Sequence, residues 1–228
     1  MIDMKKMINF LKELENNNNK EWFHENKEKR LEATKEFENL VEEIMHKICE
    51  FDPAISYYNP KDLTFKLVRD TRFSKDKSPY NPVFRAHIAP KGKLPVPVGY
   101  FISLRPNGGT VLGGGIFADM FKDATTLIRD YITDNGEEFS KIITKPEFTD
   151  TFKVLGTKLK KVPKGYDENH KQAEYLKHKS WFIESYVTDK ELLNSDIFIE
   201  RAIHDFKVMK PFNDYLNKAL INFEMPKR

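Results

Sequence analysis

The sequence predicts an α+β fold: a central, mostly antiparallel sheet flanked by helices from both chain ends. Three observations carry this expectation. Apolar residues recur at helical spacing near both termini. Four short segments in the middle of the chain alternate apolar and polar residues at strand spacing. Those segments follow one another closely through Pro- and Gly-containing turns, which favours antiparallel neighbours over long crossovers.

Met4, Met7, Ile8, Leu11 and Leu14 share one helix face, and Asp3 precedes them as an N-cap. The run Asn16 to Asn19 ends that helix, because asparagine side chains compete for backbone hydrogen bonds and tolerate turns. A second helix is expected from near Lys20 to about Glu50, with room for a break. Phe37, Leu40, Val41, Ile44 and Ile48 form its apolar stripe, and Pro53 closes it. Strands are expected over 63–67, 83–88, 100–104 and 110–117, with Pro106-Asn107-Gly108-Gly109 as a turn between the last two. A helix over 120–135 follows, with Gly136 at its end. Segments 151–155 and 179–184 are further strand candidates. Segment 196–220 reads as one or two helices interrupted near Pro211. No repeat or low-complexity linker divides the chain, so one domain over residues 1–228 is expected.

Composition narrows the function classes. Lys and Arg number 38 against 35 Asp and Glu, a net charge of +3. That balance argues against a nucleic-acid partner. A single cysteine, Cys49, excludes an internal disulfide framework and a Cys-rich zinc site. The first fourteen residues lack an unbroken apolar stretch, and no run approaches the roughly 20 apolar residues of a membrane span. The expectation is a cytoplasmic protein with no membrane partner. Composition names no cofactor and no oligomeric state.

The densest chemistry lies in Arg69-Asp70-Thr71-Arg72-Phe73-Ser74-Lys75-Asp76-Lys77-Ser78-Pro79-Tyr80. Arg69 and Arg72 can present guanidinium forks to a phosphate or carboxylate. Lys75 and Lys77 add point charge, and the hydroxyls add hydrogen bonds. Asp70 and Asp76 neutralise two of the four cations, leaving a formal +2. The plainer reading is a salt-bridged loop, in which Arg72 would pair with Asp76.

These residues also carry a resemblance. With Asn18-Asn19-Lys20-Glu21-Trp22-Phe23, Gly113-Gly114-Gly115, Pro163-Lys164-Gly165-Tyr166-Asp167, His170 and Lys177-His178-Lys179, the charged motif resembles the bacterial and fungal family known as domain of unknown function 2461. The resemblance covers nearly the whole chain. It departs at Asn81, which stands in place of the usual basic residue, and at Ala118-Asp119-Met120, which replaces a Pro-containing helix start. It implies an α+β fold and supplies no activity. It also implies that the separated polar segments belong to one site. On that expectation Arg69, Arg72, Lys77, Tyr80, Lys164 and Lys179 bind a small anionic ligand, and Asp76 or His170 transfers a proton. The ligand would be a phosphate ester, nucleotide or carboxylate. Two alternatives stay open: a non-enzymatic structural or interaction domain whose charged motif is a salt-bridged network, and a weak nucleic-acid binder.

Other constellations carry less. Gly113-Gly114-Gly115 lacks the phosphate-loop patterns and reads as a tight turn or bulge. Asp167-x-x-His170, with His178 or His24, falls short of a metal-ligand signature, so no metal site is assigned. Trp22 and Phe23 read as core residues, and Cys49 as packed and inert.

Overall fold

A computed structural model describes residues 2–118 and 121–226. In chain order the helices are α1 (Met4–Asn16), α2 (Lys20–Glu25), α3 (Lys27–Cys49), α4 (Pro60–Leu63), α5 (Lys122–Asp134), α6 (Gly136–Ile143), α7 (Pro146–Thr151), α8 (Ala173–Leu176), α9 (Asp189–Leu192) and α10 (Ser195–Ala219). The strands are β1 (Phe84–Ile88), β2 (Tyr100–Leu104), β3 (Thr110–Ile116) and β4 (Trp181–Val187). They form one antiparallel sheet in the order β1-β2-β3-β4, so the α+β class holds. The chain divides into two compact units, the first comprising Met1–Ile88, Phe101–Leu112 and Tyr186–His204, the second Ala89–Tyr100, Gly113–Ser185 and Asp205–Arg228.

In the first unit, Asp3 caps α1 by accepting the Lys6 N–H at 2.9 Å. Asn19 caps α2 through the Trp22 N–H at 2.9 Å. The expected break in the second helix falls at Asn26, between α2 and α3. Phe84 of β1 stacks on Phe37 of α3 at 5.1 Å and on Phe10 of α1 at 6.1 Å, and all three are buried. The turn between β2 and β3 has Asn107 and Gly108 at positive φ, and the Asp189 carboxylate accepts both of their N–H groups at 3.2 and 2.8 Å.

The strand expected over 63–67 is corrected. Asn59 accepts the Lys61 N–H, and Pro60 stands at the first helical position, so a helical turn takes Leu63. The remainder pairs with 79–86 only by isolated contacts, Thr64 with Ala86 and Val68 with Tyr80. The fourth sheet strand is instead β4, close to the 179–184 candidate.

In the second unit, α5 begins at Lys122; Met120, where the expected helix starts, lies outside the described residues. Gly136 does not end a helical region but opens α6 after a one-residue break. The strand expected over 151–155 starts inside α7, and only Leu155 pairs, with Phe182. The interruption expected near Pro211 is absent: α10 passes through it. Proline in a helix interior costs about 3 kcal/mol. Burial of Phe206, Met209, Phe212, Tyr215 and Leu216 along the same stretch offsets that cost. The three glycines lie within β3. A side chain at Gly114 would meet the Asn213 amide, which accepts the Gly115 N–H at 2.9 Å and donates to the Gly99 carbonyl at 3.0 Å. The tight-turn-or-bulge reading is corrected: these glycines continue a strand, and their role is close packing.

Candidate functional site

The 69–80 segment belongs to the first unit and closes as a hairpin loop. Its ends are joined by the Arg69 N–H to the Pro79 carbonyl at 2.9 Å and by the Asn81 N–H to the Leu67 carbonyl at 2.7 Å. Asn18 fastens the closing residue from across the fold. Its amide donates to the Tyr80 carbonyl at 3.0 Å, and its oxygen accepts the Tyr80 N–H at 3.1 Å. The Tyr80 ring is buried and stacks on Phe23 at 3.7 Å, and the Arg30 guanidinium lies 4.3 Å from the Phe23 centroid. Phe23 is thus a core residue, as expected, and Tyr80 anchors the loop beside it.

Within the loop the charges pair in a pattern different from the expected one. Arg72 engages Asp70, with Nε 2.9 Å from Oδ1 and a terminal nitrogen 2.6 Å from Oδ2. Arg69 pairs with Asp76, which also accepts from the Ser78 N–H at 2.9 Å and hydroxyl at 2.7 Å. Arg72 does not pair with Asp76. The Arg69 guanidinium, then the Ser78 donors, hold the Asp76 carboxyl well below the ordinary carboxylate range. Arg72 likewise lowers Asp70. An aspartate held ionised so firmly is a weak base and carries no proton to give at neutral pH. Lys77 donates to the Thr71 carbonyl at 3.0 Å, which fixes its position without cancelling its charge. Lys75 is exposed and has no partner among the described residues. Phe73 stands at the tip with 96% of its surface exposed.

The remaining candidates, Lys164, His170 and Lys179, belong to the second unit. Lys164 is exposed in a turn closed by the Tyr166 N–H on the Pro163 carbonyl at 3.2 Å. Lys179 is half-buried, and its N–H donates to the Thr157 carbonyl at 2.8 Å. His170 uses both ring nitrogens: Nδ1 accepts the Gln172 N–H at 3.0 Å, and Nε2 lies 3.2 Å from the Thr133 carbonyl and donates to it. Any proton transfer by His170 would first break one of those bonds. The nearby Tyr166 hydroxyl donates to Asp130 at 2.8 Å. Burial first, and then Asp130, push its pKa up to about 12.

His178, weighed in the sequence only as a metal partner, is fully buried. Its Nδ1 lies 3.2 Å from the Ser180 carbonyl and donates to it, while Nε2 has no hydrogen-bond partner among the described residues. Its ring stacks on Trp181 at 6.2 Å and lies tilted against Tyr175 at 5.6 Å, and Arg129 donates to its carbonyl at 2.8 Å. Burial first, and then the charge of Lys158, lower its pKa; the backbone at Ser180 and Leu155, and last Glu174, oppose them. The folded state therefore resists a proton that the unfolded chain accepts. The stability this group contributes is complete above the ordinary imidazole value of about 6.5 and falls as pH drops below it. Denaturant melts between pH 7.5 and 5 are expected to show this loss, and His178→Phe is expected to flatten it. An unchanged pH slope in His178→Phe would refute the assignment.

Among the described residues no cluster of three His, Cys, Asp or Glu side chains is placed to hold a metal ion, and no helix is long and apolar enough to cross a membrane. A family model described as conserved hypothetical protein (DUF2461) matches residues 6–215. No curated protein and no solved structure matches the chain.

Proposed function

The chain belongs to the DUF2461 family, and since that membership fixes no activity, we propose from the loop itself that the protein is an interaction domain whose recognition element is the 69–80 loop. Its partner is a protein surface with acidic groups around an apolar notch. One observation carries this reading: the loop's two arginines are taken by its own aspartates, leaving an uncancelled +2 on Lys75 and Lys77 around an exposed Phe73. The Arg–Asp pairs stiffen the loop, so less ordering is needed when a partner docks. A small ligand is bound by burying most of its surface in a concavity. Phe73, almost wholly exposed at a tip, is covered only by a partner that brings its own concavity. In this reading Arg69, Arg72, Asp76 and Tyr80 build the loop, and Lys77, Lys75 and Phe73 meet the partner. Supporting the non-enzymatic side, Asp76 is held ionised and both His170 nitrogens are occupied. A cytoplasmic location agrees with this role and is part of the proposal.

Replacing Phe73 with a photo-crosslinking benzoylphenylalanine in host extract tests it, with the same group at Ile221, another exposed apolar residue, as control. A protease-sensitive adduct specific to position 73 is expected, weakened by salt and lost in Lys75→Glu/Lys77→Glu. An adduct equal to that of the control, or indifferent to the lysines, would defeat the proposal. So would one sensitive to nuclease instead of protease.

A further inference from the structure

We propose that Arg85 is the anion-gripping residue of a separate site, on the side of β1 turned away from α1 and α3, that takes a small molecule carrying an oxyanion. The site lies wholly within the first unit and does not depend on the loop acting as a docking element.

Strand geometry places it. Phe84 faces the aromatic residues of α1 and α3, so alternation turns its neighbour Arg85 to the opposite side. There the hairpin supplies a floor: the Phe65 N–H donates to the Arg85 carbonyl at 2.9 Å, and the Arg85 guanidinium lies 5.4 Å from the Phe65 ring centroid. This cation–π contact fixes the plane of the guanidinium.

What the site lacks is a counter-charge. Arg69, Arg72 and Arg201 of the same unit each pair with a carboxylate, and Arg30 donates to the Phe23 carbonyl while capping its ring. Arg85 is partly buried, its Nε is enclosed without a hydrogen-bond partner, and no carboxylate pairs with it among the described residues. Burial alone disfavours its charged form. A guanidinium nevertheless stays ionised at neutral pH, so the cost of an unpaired, partly desolvated cation remains in the free protein. A carboxylate or phosphate meeting the two terminal nitrogens of the guanidinium would cancel that charge with two parallel hydrogen bonds. The two anions share one recognition chemistry.

The test follows melting temperature and the Arg85 Nε–H NMR signal at constant ionic strength, with inorganic phosphate in one arm, acetate in the other and chloride as reference. At least one of phosphate and acetate is expected to shift the Nε–H signal and raise the melting temperature, and the responding arm identifies the anion class. Arg85→Gln is expected to weaken the response at least tenfold while melting no lower than the parent, because it removes an uncompensated charge. Arg85→Lys, which keeps charge without the fork, is expected to fall between. Lys75→Gln/Lys77→Gln is expected to respond like the parent, which separates this site from the loop. Silence in both arms would overturn the proposal. So would an Arg85→Gln variant that responds like the parent, or one that melts clearly lower.

Discussion

Phe23→Ala is expected to cost about 3–5 kcal/mol in urea unfolding, the range for emptying a buried aromatic position. The residue is only 8% exposed, carries the Tyr80 ring on one side and meets the Arg30 guanidinium. Its loss therefore removes a core group and the floor on which the charged loop is seated. Hydrogen exchange should accelerate at the Arg69 and Asn81 amides, whose bonds close the loop. Phe73→Ala, four residues from Lys77 at the exposed tip, is expected to change stability by no more than about 0.5 kcal/mol. Equal costs for the two substitutions would mean that the loop is not anchored through Tyr80 and Phe23.

Gly156→Ala is expected to be comparably damaging in the second unit, at about 3 kcal/mol. Two causes add. Gly156 has φ of +151°, which strains a side-chain-bearing residue by about 1–3 kcal/mol. The added methyl would also overlap the Ser180 carbonyl oxygen and press on His178 Nδ1, and backbone cannot rotate out of the way. Gly165→Ala is the internal comparison: its φ is +100°, but nothing lies within 4 Å of the added atom. Only the conformational cost of roughly 1–2 kcal/mol is then expected. A melt in which Gly156→Ala is no worse than Gly165→Ala would refute the close approach of the 156 and 180 backbones.

The parts of the fold legible in the sequence are those set by local rules. The apolar stripe of α1 and its Asp3 cap are written in residue spacing, as is the Asn107-Gly108 turn, while spacing leaves room for a break in the second helix without placing it at Asn26. Leu63 misled because its alternation with Phe65 and Leu67 is genuine, while the Asn59-Pro60 helix start claims it first. Pro211 misled because its local penalty is outweighed by buried partners such as Phe139 and Phe148, far away in sequence. The short helices α6 to α9 offer too few residues for a period to show.

The candidate site divides in the same way. That the loop would be self-neutralising except for +2 follows from counting charges. Which arginine takes which aspartate depends on the loop's path, and the outcome, Asp70 with Arg72 and Asp76 with Arg69, is not encoded in spacing. Burial is the other hidden quantity. It removes Tyr80 from the surface, leaves Nε2 of His178 unpartnered, and distinguishes Arg85 from the cations around it. Phe73 belongs to the motif, yet nothing in the sequence distinguishes an exposed phenylalanine from a buried one.

The claim that the loop's aspartates are spent on its arginines, leaving the lysines and Phe73 to meet a partner, is tested most directly by carbon-detected NMR titration of the Asp70 and Asp76 carboxyls. Both are expected to titrate below the ordinary aspartate value of about 3.9, with Asp76 the lower of the two, and Arg69→Gln is expected to return Asp76 toward that value. An Asp76 that titrates at or above the ordinary value in the parent protein would contradict the account and restore it as a candidate base.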